Sequence, residues 1–347
     1  MPDIRIAVLD TGIDKVLYDE LLQQNRILGC KGFGYDHYYK TVFCDDRADD
    51  LNGHGTQSVA LIDRNCPHTK FYIIKLLGVS GLTNESVLEE ALEYASRLDV
   101  DMIVSSSSLR ASLKSEKLEE ICNKIHSDGK LLIFSVKNGD QNSMPAEFGS
   151  VIGVIGGNMP NDELRWNEGR KIQLQCSSET VVAKALYGRR CVYSGNSKAT
   201  SLAAGLIAKI MYENNIYGSD VTAYLNRNCY ADKYETKPFG REVDSINKTV
   251  FDHEKEEYLV ENSIGYHQVL YSLCEFFKVN SPEQMRIAYL MEENNSYLWY
   301  NIEEFLRYME YVFQKPIDVD DLRDLEYSYL FFENVINKNE SDEKNNG

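Results

Sequence analysis

The chain has 347 residues, of which 43% are hydrophobic, and its formal net charge at pH 7 is −17. This length accommodates one large domain with its own hydrophobic core and a second, smaller domain. The acidic balance argues against nucleic acid or an anionic membrane as a partner, and no apolar run of 18 residues predicts a membrane-spanning helix.

Cysteine usage and the N-terminus indicate the compartment. The eight cysteines are scattered and form no Cys-x-x-Cys pair, which favours reduced thiols over a disulfide framework or a zinc site. No charged segment followed by an apolar segment, as in a secretory signal, stands at the N-terminus. Nor is there room for a prodomain between Met1 and the first predicted strand. We therefore expect a cytoplasmic protein with no cofactor and no metal.

The first predicted element is a strand over the apolar run 4–10, which ends in Asp10 and is followed by Thr-Gly. The carboxyl end of a strand is the usual place for a functional side chain in an open α/β sheet. Asp10 is therefore a candidate functional carboxylate.

The next candidate is His54, which lies in the segment Asn-Gly-His-Gly-Thr at residues 52–56. Glycines on both sides leave room for a substrate backbone, and residues 57–62 continue as a predicted helix. Four acidic residues precede this segment, at positions 45, 46, 49 and 50. They lack the spacing of an EF-hand, so we expect a solvated loop there rather than a calcium site.

Two further candidates lie after a strand and at the start of a helix. The predicted buried strand 131–136 leads into Lys137 and Asn138, whose amide can donate to a developing oxyanion; such a donor is worth about 10²–10³ in rate. Ser197 opens a segment, 199–211, with apolar residues at helical spacing. A serine at a helix N-terminus has the positive end of the helix dipole beneath it, and its backbone N–H is free to bind the same oxyanion.

An acid, a base and a nucleophile thus occur in the order Asp10, His54, Ser197, which is the order in subtilisin. On these motifs, the chain from residue 3 to about residue 230 resembles the subtilisin-like serine peptidases of type S8. The resemblance implies a three-layer α/β domain with a parallel sheet, and the hydrolysis of peptide bonds. It also implies that Asp10 orients the imidazole, His54 acts as general base and then acid, Ser197 attacks, and Asn138 stabilises the oxyanion.

The chain departs from the family pattern at its cleft and around its nucleophile. Ser108, Leu109 and Arg110 stand where the substrate-lining stretch usually reads Ser-Leu-Gly, and Lys137 replaces a small residue. Two long cations therefore occupy positions where glycines normally form pocket walls, which predicts a narrow or charged cleft; alternatively, both side chains point to solvent. Around the nucleophile, the usual Thr, Met and Pro are replaced by Asn196, Lys198 and Ser201.

The C-terminal third carries most of the charge. From residue 231 to the end, 25 acidic and 12 basic residues give a net charge of −13, which favours a basic or neutral peptide as partner. We predict a peptidase domain over 1–230, a linker over 231–258, a small helical domain over 259–338 and a disordered tail over 339–347. The apolar spacing predicts helices at 263–277, 301–313 and 325–337.

Residues 260–338 also resemble an acyl carrier protein in the order of their helices. Carriers hold phosphopantetheine on the serine of an Asp-Ser-Leu, but the matching stretch here is Leu-Trp-Tyr-Asn at 298–301. Carrier chemistry is therefore not expected. The alternative is a plain helical bundle that serves as a docking module or cap.

The sequence as a whole predicts a serine endopeptidase of narrow specificity that acts on a peptide or protein. One candidate substrate is a dedicated precursor, because peptidases of this kind remove leaders from ribosomally made, modified peptides. Regulated processing of another cytosolic protein is the second candidate. Two other function classes remain open: a pseudoprotease that only holds peptides in the same cleft, and a peptide-binding scaffold.

Overall fold

The computed structural model describes residues 1–36, 38–78, 81–106, 109–110, 115–137, 143–232, 252–287, 302–317 and 327–337. The chain divides into two compact units. The first comprises Met1–Glu179, Lys184–Arg189 and Tyr193–Glu242, and the second comprises Thr180–Ala183, Arg190–Val192 and Val243–Gly347.

The described strands are numbered in chain order. They are β1 (Ile4–Asp10), β2 (Ile27–Asp36), β3 (Thr41–Asp45), β4 (Thr69–Lys75), β5 (Met102–Ser105), β6 (Leu109–Arg110), β7 (Leu131–Ser135), β8 (Ser143–Met144), β9 (Ile152–Gly157), β10 (Leu164–Trp166), β11 (Leu174–Ser177), β12 (Val181–Lys184) and β13 (Arg190–Tyr193). Nine of them form one sheet in the order β10-β11-β9-β7-β5-β1-β4-β2-β3. All neighbours in this sheet are parallel except the edge pairs β10–β11 and β2–β3, which are antiparallel.

The described helices are likewise numbered in chain order. They are α1 (Lys15–Gln23), α2 (His54–Asn65), α3 (Glu85–Ser96), α4 (Glu116–Ser127), α5 (Gly195–Asn214), α6 (Ser219–Asn228), α7 (His253–Asn262), α8 (Ile264–Phe277), α9 (Pro282–Ile287), α10 (Ile302–Phe313) and α11 (Ser328–Phe331), followed by a π-helical turn at Phe332–Ile336. Helices α3 and α4 cover one face of the sheet, where their apolar residues pack with Ala7 and Leu9 of β1. Because side chains alternate along a strand, Ile6 and Val8 point to the opposite face, where α2 and α5 pack.

Helices α2 and α5 pack closely against each other. Small residues line α5, and a Cβ on Gly205 would lie 2.8 Å from the Cβ of Asn65 and 3.2 Å from the carbonyl oxygen of Ile62. This contact brings the two helices whose first turns contain the predicted base and the predicted nucleophile into one layer.

The parallel register places the ends of the central strands side by side. Leu9 of β1 pairs with Ser105 of β5, and Ser105 pairs with Phe134 of β7. The chain therefore leaves these three strands at one edge of the sheet, with Asp10 at the last position of β1. Ligands bind at the carboxyl ends of strands in open α/β sheets, so this edge is the expected place for a functional site. The predicted parallel α/β fold is confirmed.

The second unit has its own core. Tyr266, Phe305, Tyr329 and Phe331 are almost fully buried in it, and Val182 of β12 packs into the same cluster. Aromatic side chains bury 150–250 Å² each, which allows so few residues to support a core. The prediction of a helical C-terminal part is confirmed.

The individual C-terminal predictions fare differently. The helices predicted at 263–277 and 301–313 correspond to α8 and α10. Helix α7 begins at His253, inside the range predicted as linker. The stretch 298–301 on which the carrier comparison depends, and the tail 339–347, lie outside the described residues. In the part of the chain that the structure describes, no helix has the length and apolar character needed to cross a membrane.

Candidate active site

Asp10 is the centre of a hydrogen-bond cluster at the carboxyl end of β1. Its side chain is 1% exposed. The backbone N–H of Thr11 donates to Oδ1 at 2.7 Å, the hydroxyl of Ser106 donates to Oδ2 at 2.7 Å, and that of Ser58 donates to Oδ2 at 3.1 Å. Nδ1 of His54 lies 2.8 Å from Oδ1 and 3.0 Å from Oδ2. Both carboxylate oxygens are therefore bonded, as a buried charge requires.

These contacts set the protonation of the acid and the base. Burial raises the pKa of Asp10, but the charge of His54 and the hydrogen bonds from His54, Ser106 and Thr11 lower it, and the net pKa lies below its usual value. Asp10 is then an ionised acceptor, so Nδ1 of His54 carries the proton and Nε2 has the free lone pair. Burial lowers the pKa of His54, whereas the charge and hydrogen bond of Asp10 and the charge of Asp50 raise it more.

Asp50 fixes the start of the helix on which His54 lies. Its Oδ1 accepts the backbone N–H of Gly53 at 2.8 Å, and its Oδ2 accepts the N–H of Thr56 at 3.0 Å and the Thr56 hydroxyl at 2.6 Å. A carboxylate in this position satisfies free N–H groups at a helix N-terminus and interacts favourably with the helix dipole. The expectation of a solvated acidic loop is therefore wrong for Asp50, which is 6% exposed.

Gly55 lets the turn after Asp10 approach the first turn of α2. Its N–H donates to the Thr11 hydroxyl at 2.8 Å, and a Cβ at this position would lie 2.3 Å from the Gly12 carbonyl oxygen. The sequence suggested room for substrate as the reason for the glycines beside His54. At Gly55 the structure gives a packing reason instead, since the close approach sets the distance between acid and base.

Ser197 lies in the first turn of α5, which begins at Gly195. The neighbouring Asn196 side chain is bonded at both ends of its amide: its Oδ1 accepts the N–H of Gly156 at 2.8 Å, and its Nδ2 donates to the Val136 carbonyl at 3.0 Å. The start of α5 is thereby fixed to strand β9 and to the residue that follows β7. The residue that departs from the family pattern thus has a structural role.

Lys198 has a role that the sequence did not suggest. Its side chain is fully buried, and its ammonium group donates to the carbonyl of Ser177 at 3.1 Å, to the Ser177 hydroxyl at 3.2 Å and to the Asn161 side-chain oxygen. A buried ammonium is tolerated only when it is hydrogen-bonded. The three acceptors hold the first turn of α5 against the end of β11.

The predicted cleft residues are described only in part. Asn138 and Ser108 lie outside the described residues. Leu109 and Arg110 form strand β6, which pairs with β8 in antiparallel orientation, but their side chains lie outside what the structure describes. Lys137 is half-buried, and its backbone N–H donates to the Ser143 hydroxyl at 2.8 Å. The roles given to these five residues stay predictions.

Three residues near the acid and base were missed from the sequence: Ser58, Ser106 and Tyr193. The ring of Tyr193 packs edge-on against the His54 ring, with centroids 5.5 Å apart and planes at 88°. One signal was available in the sequence. Ser58 follows His54 by four residues, so it is a hydroxyl one turn further along a helix that is otherwise apolar on that side.

The described residues contain no group of three or more His, Cys, Asp or Glu side chains that could hold a metal ion. The chemistry available in the described cluster is that of an oriented imidazole: a buried carboxylate fixes one ring nitrogen and leaves the other as a proton acceptor.

Comparisons with known proteins agree with this geometry. The model of the subtilase family, peptidase S8, matches residues 2–241. Alkaline elastase YaB from Bacillus sp. (strain YaB) is 25% identical over 223 residues, which are 61% of this chain and 55% of that protein. The chain therefore spans about half the length of that relative.

A second relative and a solved structure are also similar to this chain. An intracellular serine protease from Paenibacillus polymyxa is 26% identical over 229 residues, which cover 60% of this chain and 66% of that protein. The structure of a cold adapted subtilisin-like serine proteinase superposes with a TM-score of 0.52 at 21% identity and covers 66% of this chain and 84% of its own. The predicted resemblance to subtilisin-like peptidases is confirmed, as is the three-layer fold.

The charge of Asp50 gives a testable pH effect. Because this charge raises the pKa of His54, the substitution Asp50→Asn should lower that pKa, while the amide oxygen still accepts one of the helix N–H groups. NMR titration of the His54 ring measures the shift directly. Asp46→Asn, the same change at an exposed position, is the control and should leave the His54 pKa unchanged. An upward shift in Asp50→Asn would contradict the electrostatic assignment.

Proposed function

Since the chain belongs to the subtilase family, we propose that it is a serine endopeptidase with Asp10, His54 and Ser197 as its catalytic triad. The observation that carries this proposal is the buried Asp10 carboxylate bonded to Nδ1 of His54 at 2.8 Å. That contact orients an imidazole as a general base, and a catalytic serine needs such a base because its hydroxyl is a weak nucleophile.

In the proposed reaction, Nε2 of His54 takes the proton from the Ser197 hydroxyl as its oxygen attacks the scissile carbonyl. Asp10 stays ionised and stabilises the imidazolium that forms. The tetrahedral oxyanion accepts hydrogen bonds from the Ser197 N–H and from the Asn138 amide. His54 then returns the proton to the leaving amine, and water releases the acyl group in the reverse sequence of steps.

The helix that begins at Gly195 supports the nucleophile in this scheme. Free N–H groups in its first turn and the positive end of its dipole favour negative charge near Ser197. The side chains of Asn196 and Lys198 hold this turn by their bonds to neighbouring strands. A rigid first turn allows the N–H donors to be in place before charge develops, which is how an oxyanion site contributes to rate.

The substitution Ser197→Ala should abolish hydrolysis, with a loss in kcat of roughly 10⁴–10⁶, and leave the fold intact. A fluorophosphonate probe, which reacts only with an activated serine, should label the native protein at Ser197 and leave the variant unlabelled. Ser127→Ala, at an exposed helix end, is the control and should be labelled normally. A native protein that stays unlabelled would favour the alternative function, a pseudoprotease that only binds peptides.

We further propose that the cleft selects its substrate through Arg110 and Lys137. Lys137 is half-buried, and its backbone N–H is bonded to the Ser143 hydroxyl, so its side chain leaves the main chain from a fixed position directly before Asn138. A cation at a cleft wall favours an acidic substrate side chain and disfavours a basic one.

In a peptide library, we expect cleavage to favour acidic residues near the scissile bond. Lys137→Gly should reduce the preference for acidic over neutral residues by about 3–10-fold, as expected for a partly exposed charge pair. Lys40→Gly, in an exposed loop where φ is +52°, is the control and should keep the native profile. Unselective digestion by the native protein would contradict the proposal.

The substrate that we propose is a dedicated precursor peptide in the cytoplasm, from which the chain removes a leader. An acidic second unit supports this proposal, because it suits a basic leader segment. On α8, Ile264 is 89% and Tyr271 is 64% exposed. They lie seven residues apart on one face of the helix, the spacing at which one amphipathic segment contacts another. Similarity to an intracellular serine protease is consistent with this location.

A basic amphipathic peptide joined to a short cleavable sequence should have a lower KM than the short sequence alone. The double variant Ile264→Ser and Tyr271→Ser should raise KM for the long peptide several-fold and leave the short peptide unaffected, because the apolar contact is lost only for the long one. Tyr311→Ser, an exposed tyrosine on α10, is the control. Equal KM values for the two peptides would contradict the proposal that α8 is a docking site.

A further inference from the structure

A row of three buried hydroxyl groups leads away from the Asp10 carboxylate. Ser58, Tyr193 and Ser201 are 1%, 4% and 0% exposed. The Tyr193 hydroxyl lies between the two serines, 2.9 Å from the Ser58 oxygen and 3.1 Å from the Ser201 oxygen. Ser58 follows His54 by one helical turn, and Ser201 follows Ser197 by one helical turn. The row therefore joins the helix of the base to the helix of the nucleophile.

Each hydroxyl in the row has only one proton, and this limits which of its neighbours it can donate to. Ionised Asp10 can only accept, so Ser58 donates to its Oδ2. The Ser58 oxygen then accepts the Tyr193 proton, and the single Ser201 proton faces two acceptors, the Tyr193 oxygen at 3.1 Å and the Ser197 carbonyl oxygen at 3.0 Å. Burial, followed by the charge of Asp10, raises the pKa of Tyr193, so its hydroxyl keeps the proton that this arrangement needs. Hydrogen bonds that point the same way along a chain polarise one another.

Both ends of this row touch groups of the proposed triad. The Ser201 oxygen also lies 3.0 Å from the carbonyl oxygen of Ser197, so the row ends at the peptide unit of the nucleophile. The Tyr193 ring packs edge-on against the His54 ring. One side chain therefore contacts the imidazole by its ring and reaches the acid through Ser58 and Ser106, the two serines that donate to Oδ2 of Asp10.

We propose that Tyr193 is a positioning residue: through Ser58 it fixes the Asp10 carboxylate, and with its ring it fixes the plane of the His54 imidazole. The sequence around the nucleophile makes this possible, because a proline in place of Ser201 would leave the Tyr193 oxygen without that hydroxyl. The proposal rests on the proposed function for its effect on rate, but its effect on His54 can be measured without any activity.

The expected effects have a definite sign. Without the Tyr193 hydroxyl, Ser58 is less polarised and donates more weakly to Asp10. The carboxylate then retains more charge and stabilises the imidazolium more, so the pKa of His54 rises. The charges that face His54 are those of Asp10, on β1, and Asp50, in the segment before α2, and both remain in the variant. In Tyr193→Phe, kcat should fall about 3–10-fold, the usual worth of one buried hydrogen bond, with KM unchanged.

The test compares Tyr193→Phe, Ser58→Ala and the double variant. The His54 pKa is measured in each by NMR titration and by the acidic side of the plot of kcat against pH. Both single variants should shift the His54 pKa upward, and the double variant should shift it by less than the sum of the two single shifts, because Tyr193 acts on Asp10 in part through Ser58. Tyr266→Phe removes another buried tyrosine hydroxyl, which bonds Glu256 and Ser328 in the second unit. This control should leave the His54 pKa and kcat unchanged.

Two results would overturn the proposal: an unchanged His54 pKa in either single variant, or additive shifts in the double variant. Ser58→Ala provides the same measurement should Tyr193→Phe fold poorly. Failure of the proposed function is seen separately, since it would leave the native protein unlabelled by the fluorophosphonate probe, whereas failure of the positioning role would leave that labelling intact.

Discussion

The structure of the first unit depends on a buried negative charge. A carboxylate at 1% exposure is costly unless donors surround it. Asp10 obtains its donors from three places: the turn that follows it, the helix that begins at His54, and Ser106 after β5. Each of these segments is therefore held to the same edge of the sheet by the need to satisfy one charge.

The two helices of the opposite layer are fixed at this edge of the sheet in similar ways. Helix α2 begins at the base and α5 begins two residues before the predicted nucleophile, so both present a positive dipole end to the same edge. Their first turns are fixed by side chains, Asp50 for α2 and Asn196 for α5. The close packing at Gly205 then fixes the distance between the helices. Side-chain hydrogen bonds at the first turns and one tight helix crossing together hold the start of each helix in place.

The sequence predicted those parts of the site that depend on local pattern. Strand β1 has an apolar run, the start of α5 has small residues, and the order of acid, base and nucleophile is specific to one family. The sequence could not predict the contacts between segments that are distant along the chain. Tyr193 and Ser58 are 135 residues apart, and the fully buried Lys198 ammonium finds an acceptor in Asn161, 37 residues away. No sequence pattern around a lone hydroxyl in a helix, or around a lysine beside a serine, predicts such a partner.

The path of the chain through β12 and β13 has a consequence for modularity. Residues 180–183 and 190–192 belong to the second unit, whereas 184–189 and everything from Tyr193 to Ser197 belong to the first. Val182 lies in the same aromatic core as Phe305, and Arg190 pairs with Glu310 of α10. The C-terminal helices thus share a core with strands inserted a few residues before Ser197, the proposed nucleophile. In evolutionary terms the second unit is not an appendage that one recombination event could add or remove, because its loss would leave two strands of the region that matches the subtilase family without a core.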